Sequence, residues 1–167
     1  MLDLYTIAKE KKKIDGLHVA MVGDLRYGRT VHSLSYLLGL YKDIRFTFVS
    51  PHELTMPDKV TSFLKEKKFT YWETDSLKPA LDADIMYVTR VQQERFADKS
   101  EYERLKLKYI VKARMLKGKK VTVMHPLPRV GEIATDVDGL KNAAYFRQAA
   151  NGVPVRMALL AMLLGKA

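Results

Sequence analysis

Cysteine is missing altogether from the 167 residues. That excludes a disulfide scaffold, a cysteine-based zinc site, an iron–sulfur cluster and a thiol nucleophile. It leaves the redox compartment open, because a cysteine-free chain is stable in either. Long hydrophobic runs are also missing. Val153–Gly165 is interrupted by Arg156 and falls well short of the ~20 residues a membrane span needs. The segment Met1-Leu-Asp-Leu-Tyr5 lacks a basic stretch followed by an apolar core, so no signal peptide is expected. There is no internal repeat, low-complexity tract or long linker, and the length suits one domain of ordinary size. No histidines and acids stand at metal-ligand spacing, so no metal is expected.

What is abundant is positive charge. Lys and Arg number 29 against 19 Asp and Glu, a net charge of +10. Such an excess suits nucleic acid, an anionic membrane or acidic small molecules. Arg104, Lys106, Lys108, Lys112, Arg114, Lys117, Lys119 and Lys120 form a stretch without a single acid. Aromatic residues do not interleave with it as a base-stacking surface requires. The stretch is therefore read as a solvated face, with neither nucleic acid nor membrane as partner. Apolar residues make up 47% of the chain, enough to form a core rather than a disordered polymer.

The apolar pattern alternates between strand-like runs and helical spacings. Leu17–Val22, Arg45–Val49, Thr70–Glu73, Ile85–Val88 and Val121–Met124 read as strands. Leu2–Lys12, Thr30–Tyr41, Pro57–Lys67, Leu77–Leu81 and Glu101–Lys117 read as helices, the last broken near Tyr109–Val111. Two separate helices, Ala143–Gln148 and Pro154–Leu164, close the chain. Residues 89–103 are polar and read as a mobile loop. Strands alternating with helices imply an α/β, doubly wound, five-stranded parallel sheet with helices on both faces, Rossmann-like in outline. Ligands of such sheets bind beyond the strand C-termini, which points to residues 23–29, 50–56, 89–96 and 125–135.

Gly23-Asp-Leu-Arg-Tyr-Gly-Arg-Thr30 nearly matches a phosphate-binding G-x-x-x-x-G-K-[ST] loop, with Arg29 in place of the lysine. A planar, bidentate guanidinium suits a carboxylate better than the confined point-charge role of that lysine, so nucleotide hydrolysis is not expected. As an ordinary strand–helix turn, the segment would use Gly28 for an unusual backbone angle. After the fourth strand, Arg90 and Gln92 alternate and can face one side, offering charged and neutral donors to a carboxylate. Glu94 and Arg95 can pair locally or lock the loop to another surface. In His125-Pro-Leu-Pro-Arg-Val130 the prolines fix the backbone and lack competing N–H donors, leaving carbonyls for a ligand's N–H groups. His125 suits a hydrogen-bonded structural role, with a general base as the alternative. Arg29, Arg90, Gln92 and the carbonyls of Pro126 and Leu127 together describe a pocket for a small amino dicarboxylate.

These motifs carry a family resemblance. Met21–Ser33, Tyr87–Arg95, Met124–Val130, Glu132–Asp138, Tyr145–Gln148 and Asn151–Leu160 make the chain resemble the C-terminal, aspartate-binding half of the aspartate carbamoyltransferases of pyrimidine biosynthesis. The match spans essentially the whole chain. It also resembles ornithine carbamoyltransferases in outline, but those usually have cysteine where Pro126 stands, which favours aspartate. The resemblance implies that Arg29, Arg90 and Gln92 bind the aspartate carboxylates and that the Pro126 and Leu127 carbonyls orient its amine. It further implies that Glu94 and Arg95 couple this domain to a carbamoyl-phosphate domain. The expected reaction is attack of the aspartate amine on carbamoyl phosphate, without a cofactor, in a cytoplasmic homotrimer with or without regulatory chains. The phosphate-binding motif and the other domain are absent, so residues 1–167 are expected to form a single aspartate-binding domain, inactive in isolation. A stand-alone, non-catalytic module for a dicarboxylate or a protein partner is the alternative. Gly131 replaces a more usual acid, which would remove a polar link to the loop around Tyr102.

Overall fold

A computed structural model describes residues 1–96, 98–106 and 108–166. In chain order the elements are α1 (Leu2–Lys11), β1 (His18–Val22), α2 (Arg29–Leu38), β2 (Arg45–Val49), α3 (Asp58–Glu66), β3 (Thr70–Thr74), β4 (Ile85–Val88), α4 (Lys99–Leu105), α5 (Ala113–Leu116), β5 (Thr122–Met124) and α6 (Tyr145–Leu163). The strands form one parallel sheet in the order β3-β2-β1-β4-β5. β1, β2 and β4 read as nearly unbroken apolar runs because they are covered on both faces. Alternate residues enter different cores. Val19, Met21, Phe46, Phe48, Ile85 and Tyr87 pack with Ile7, Leu34 and Leu64 of the helices. Ala20, Val22, Met86, Val88 and Val123 pack with Leu116, Val137 and Tyr145.

The chain moves from β1 outward through β2 to β3, then returns to place β4 on the other side of β1. The crevice between the C-terminal ends of β1 and β4 is thus the point where the winding reverses, the place where open α/β sheets bind ligands.

Three expectations need correction. The polar stretch 89–103 is not simply a loop. Asp98 caps α4 by accepting the Ser100 N–H at 2.8 Å, and Tyr102 and Leu105 are buried with Leu54 and Val91 in a small third core. Two apolar side chains a single helical turn apart are enough to dock a short helix. Tyr102 is held by this packing and by Lys106, 5.6 Å over its ring, rather than by any partner at Gly131. The helix expected over Glu101–Lys117 is broken across Tyr109–Val111 as expected, where Val111 bridges Ile133, but its two parts are shorter, α4 and α5. The two closing helices are one, with Pro154 inside α6. A proline there removes a hydrogen bond, but the flanking residues are pinned to α1: Asn151 donates to the Thr6 hydroxyl at 3.1 Å, and Gln148 to Asp3 at 2.7 Å.

Among the described residues no helix is long and apolar enough to cross a membrane, and no group of His, Cys, Asp and Glu could hold a metal ion. Part of the acid-free basic stretch is paired within the fold: Arg104 with Glu53 and Lys119 with Asp82.

Candidate functional site

The first strand end is set by two close approaches. Gly23 has φ +113°, and a Cβ there would lie 2.3 Å from the Thr89 carbonyl oxygen. This is where β1 and β4 separate. Gly28 has an ordinary φ of −70°, so the expected unusual angle belongs to Gly23. Gly28 is required instead because its Cβ would meet the Asp24 carbonyl at 2.4 Å. Between them Asp24 is fully buried, and its Oδ1 accepts the Tyr27 N–H at 2.9 Å. Burial pushes the Asp24 carboxyl up, against the opposing pull of the Tyr27, Gln92 and Arg26 backbone N–H groups. The turn delivers Arg29 to the first position of α2, exposed, with its cation at the positive end of the helix dipole. Two positive features at one point favour an anion.

The second strand end is laced to the first. The Thr89 hydroxyl donates to the Val22 and Asp24 carbonyls, and the Gln92 amide donates to the Tyr27 carbonyl at 3.2 Å. Arg90 holds Glu94 at 2.9 Å. The backbone, the Arg90 cation and its hydrogen bond together keep the Glu94 carboxyl below its usual range. Arg90 has five N–H donors in all, so this pair leaves donors for a second carboxylate.

The third strand end is a clasped loop. The buried His125 ring accepts the Leu127 N–H at Nδ1, 2.8 Å, which places its proton on Nε2. Nε2 donates to Glu132 Oε1 at 2.7 Å, and Glu132 Oε2 accepts the Val130 and Gly131 N–H groups at 3.1 and 3.0 Å. Burial alone would raise the Glu132 carboxyl, but the His125 bond and the backbone N–H groups hold it below the ordinary range. Both ring nitrogens of His125 are engaged, so its role is structural, and a general base is not available there. The Leu127–Pro128 peptide is cis and Leu127 has φ +52°, a conformation uncommon for a residue with a side chain. Among the described residues, neither the Pro126 nor the Leu127 carbonyl accepts a protein hydrogen bond.

These three ends enclose a cavity of about 230 Å³ lined by Arg29, Arg90, Gln92, Glu94, Pro126 and Leu127, with Thr30 and His125. Drug-sized ligands occupy roughly 300–1,000 Å³, so the space suits something smaller. Every expected substrate-binding residue is present. Arg95 does not line the cavity, and Glu94 pairs with Arg90. The turn after β2 stays outside, its Leu54 packed under α4. Two larger open grooves, about 700 and 560 Å³, lie at the opposite ends of the strands and contain none of these residues. Sequence reasoning missed Asp24, Glu132 and Gln148. Each works on backbone N–H groups, and nothing in residue type or spacing marks such a partner.

Comparisons with known proteins place both the sequence and the fold. Residues 15–163 match the model of the aspartate/ornithine carbamoyltransferase Asp/Orn-binding domain. The aspartate carbamoyltransferase catalytic subunit of Methanobrevibacter smithii is 55% identical over 165 residues, which cover 98% of this chain and 52% of that protein. The solved catalytic subunit of M. jannaschii aspartate transcarbamoylase is 50% identical with a TM-score of 0.94, covering 99% of this chain and 56% of that one. A Trypanosoma cruzi aspartate transcarbamoylase solved with aspartate and phosphate is 38% identical with a TM-score of 0.83, covering 95% of this chain and 51% of that one. The chain therefore spans about half the length of the relatives it matches. With its parallel sheet, its cavity at the winding reversal and a match over nearly all of its length, the chain belongs to the aspartate/ornithine carbamoyltransferase family, in the part that forms the Asp/Orn-binding domain.

Proposed function

We propose that this chain is the aspartate-binding half of an aspartate carbamoyltransferase. One observation carries the reading: Arg29, Arg90, Gln92, Pro126 and Leu127, from three strand ends far apart in sequence, line a single small cavity. Two guanidinium groups and an amide suit the two carboxylates of aspartate. The carbonyls of Pro126 and Leu127 accept from its amine. So held, the amine nitrogen attacks the carbonyl carbon of carbamoyl phosphate. The C–N bond forms, the C–O bond to phosphate breaks with its electron pair leaving on phosphate, and the nitrogen gives up a proton.

Nothing described in this chain holds carbamoyl phosphate, so the second substrate belongs to a complementary domain, and the pair assembles as a homotrimer in the cytoplasm. Holding two reactants in attack geometry is worth roughly 7–11 kcal/mol of barrier, and this chain supplies one reactant only. An apolar stripe along α6 supports a docking role. Val153, Met157 and Leu160 of α6 and Leu164 at its C-cap follow a 4-3-4 spacing and stay 60–71% exposed.

The test is calorimetric titration of aspartate and succinate into the chain. Both should bind weakly, and Arg29→Ala or Arg90→Ala should each cost about 1.5–3 kcal/mol, as for a charge-assisted hydrogen bond. Equal binding of the neutral diamide of succinic acid would overturn the reading.

A further inference from the structure

A second polar network lies behind the cavity and uses none of the five residues proposed to hold the substrate. The Gln148 side chain, 2% exposed on the first turns of α6, has its amide oriented at both ends. Its Oε1 accepts the His125 N–H at 2.9 Å, and its Nε2 donates to Asp3 Oδ1 on α1 at 2.7 Å. The other Asp3 oxygen, Oδ2, accepts the hydroxyl of the fully buried Tyr87 of β4 at 3.2 Å. The Thr30 hydroxyl also lies against the Tyr87 hydroxyl. Asp3 thus stands where two cavity-bearing segments meet, one starting at His125 and the other containing Arg29 and Thr30.

An amide can be turned end for end at little cost in shape. Only its partners decide which end faces which way. With a carboxylate at Asp3, the Gln148 N–H₂ has a strong acceptor and the oxygen is left for His125. Without that carboxylate, the amide is free to turn its N–H₂ toward the His125 N–H, and two donors oppose each other in a buried site. The His125 N–H would then lose its acceptor, and the next two residues, Pro126 and Leu127, line the cavity. The clasp through His125 Nδ1 and Leu127 N–H transmits the same displacement one residue further.

We infer that Asp3 is a positioning residue for substrate: through the Gln148 amide it sets His125 and hence the Pro126 and Leu127 carbonyls that receive the amine. The inference rests on the proposed aspartate site. It makes a specific demand, because the carbonyls meet the amine and not the carboxylates. Loss of Asp3 should therefore reduce binding of aspartate while sparing succinate, which has the same carboxylates and no amine.

The experiment uses Asp3→Ala, Gln148→Glu and the Asp3→Asn/Gln148→Glu double variant in the 167-residue chain. Asp3→Ala leaves the Gln148 N–H₂ without its acceptor and should weaken aspartate about tenfold and succinate by less than about twofold, the scale of one charge-assisted hydrogen bond. Gln148→Glu sets two carboxylates against each other, and their repulsion should push the side chain at 148 away from its place beneath His125, with the same result. The double variant exchanges donor and acceptor. The new amide on α1 can donate to the new carboxylate on α6 while accepting from Tyr87, and that carboxylate still accepts from His125. It should recover aspartate affinity and the slow hydrogen exchange of the His125 amide together, whereas two independent structural lesions would add. If aspartate and succinate weaken in parallel, or the double variant is worse than either single one, the positioning role is overturned. Should the unaltered chain bind neither ligand, the aspartate-site reading fails and takes the substrate role with it. The His125 exchange pattern still reports on the relay in that case.

Discussion

Replacing Gly23 by alanine should be far more damaging than the loss of one hydrogen atom suggests. Two costs can be separated. An L residue at φ +113° pays a backbone penalty of roughly 1–2 kcal/mol. The new Cβ also lands 2.3 Å from the Thr89 carbonyl oxygen and 2.9 Å from its hydroxyl. The first of these contacts is backbone, in the segment hydrogen-bonded to β1, so it cannot swing away like the end of a flexible side chain. Overpacking of this kind costs about 1–3 kcal/mol, and the sum is about 2–5 kcal/mol, a large part of a typical stability of 5–15 kcal/mol. Gly16→Ala is the matched control: φ is +75° and nothing lies within 4 Å, so only the first cost of about 1–2 kcal/mol applies. In urea, with a slope near 2 kcal/mol per molar, the Gly23 variant should lose about 1–2.5 M in midpoint. Because Thr89 adjoins Arg90, succinate affinity should fall as well, and Gly16→Ala should leave it unchanged. A Gly23→Ala midpoint equal to that of Gly16→Ala would refute the argument, since it would mean that the contact with Thr89 is relieved without cost.

Acid should loosen the loop after β5. Glu132 is held below its ordinary 4.5 in the fold, so the unfolded chain binds that proton more readily. Stability is then full above 4.5 and declines as pH falls through the folded value; Glu132→Gln should flatten that decline, as read by denaturant midpoints across an acid series. On α6, Leu160 is 60% exposed. Leu160→Lys should leave the chain's own stability within about 0.5 kcal/mol but weaken capture of a separately expressed complementary half, and equal capture would remove α6 from the docking surface. The chain alone should not carbamoylate aspartate measurably, and adding the complementary half should give turnover that Arg29→Ala abolishes and Lys117→Ala does not. Full turnover by the purified chain alone would mean that the active site is misassigned.

The strands were legible because burial on both faces writes itself into residue type. Arg45–Val49 and Ile85–Val88 fall where apolar, β-branched and aromatic residues cluster. The cavity residues were legible because charge and rigidity at strand ends have few structural uses. What failed to show was any feature decided by a distant partner. Pro154 should end a helix by its own chemistry, and contacts with α1, among them those of Gln148 and Asn151, carry the helix through it. Tyr102 and Leu105 look like isolated apolar residues in a polar stretch until Leu54 and Val91 are placed beneath them. His125 offers two ring nitrogens as a sequence, and the fold assigns both. Gly28 was credited with an angle when its role is proximity.

The seam between α1 and α6 also imposes a timetable. Asp3 meets Gln148 across 145 positions and Glu10 meets Arg147 across 137. A ribosome adding ~5–20 residues per second makes α1 and then needs on the order of 7–30 s before its partner helix exists. During that interval Ile7 and Thr6, both fully buried in the finished fold, have no α6 to lie against. The sheet can gather strand by strand in the meantime, but α1, made before all five of these strands, is among the last of these elements to be seated.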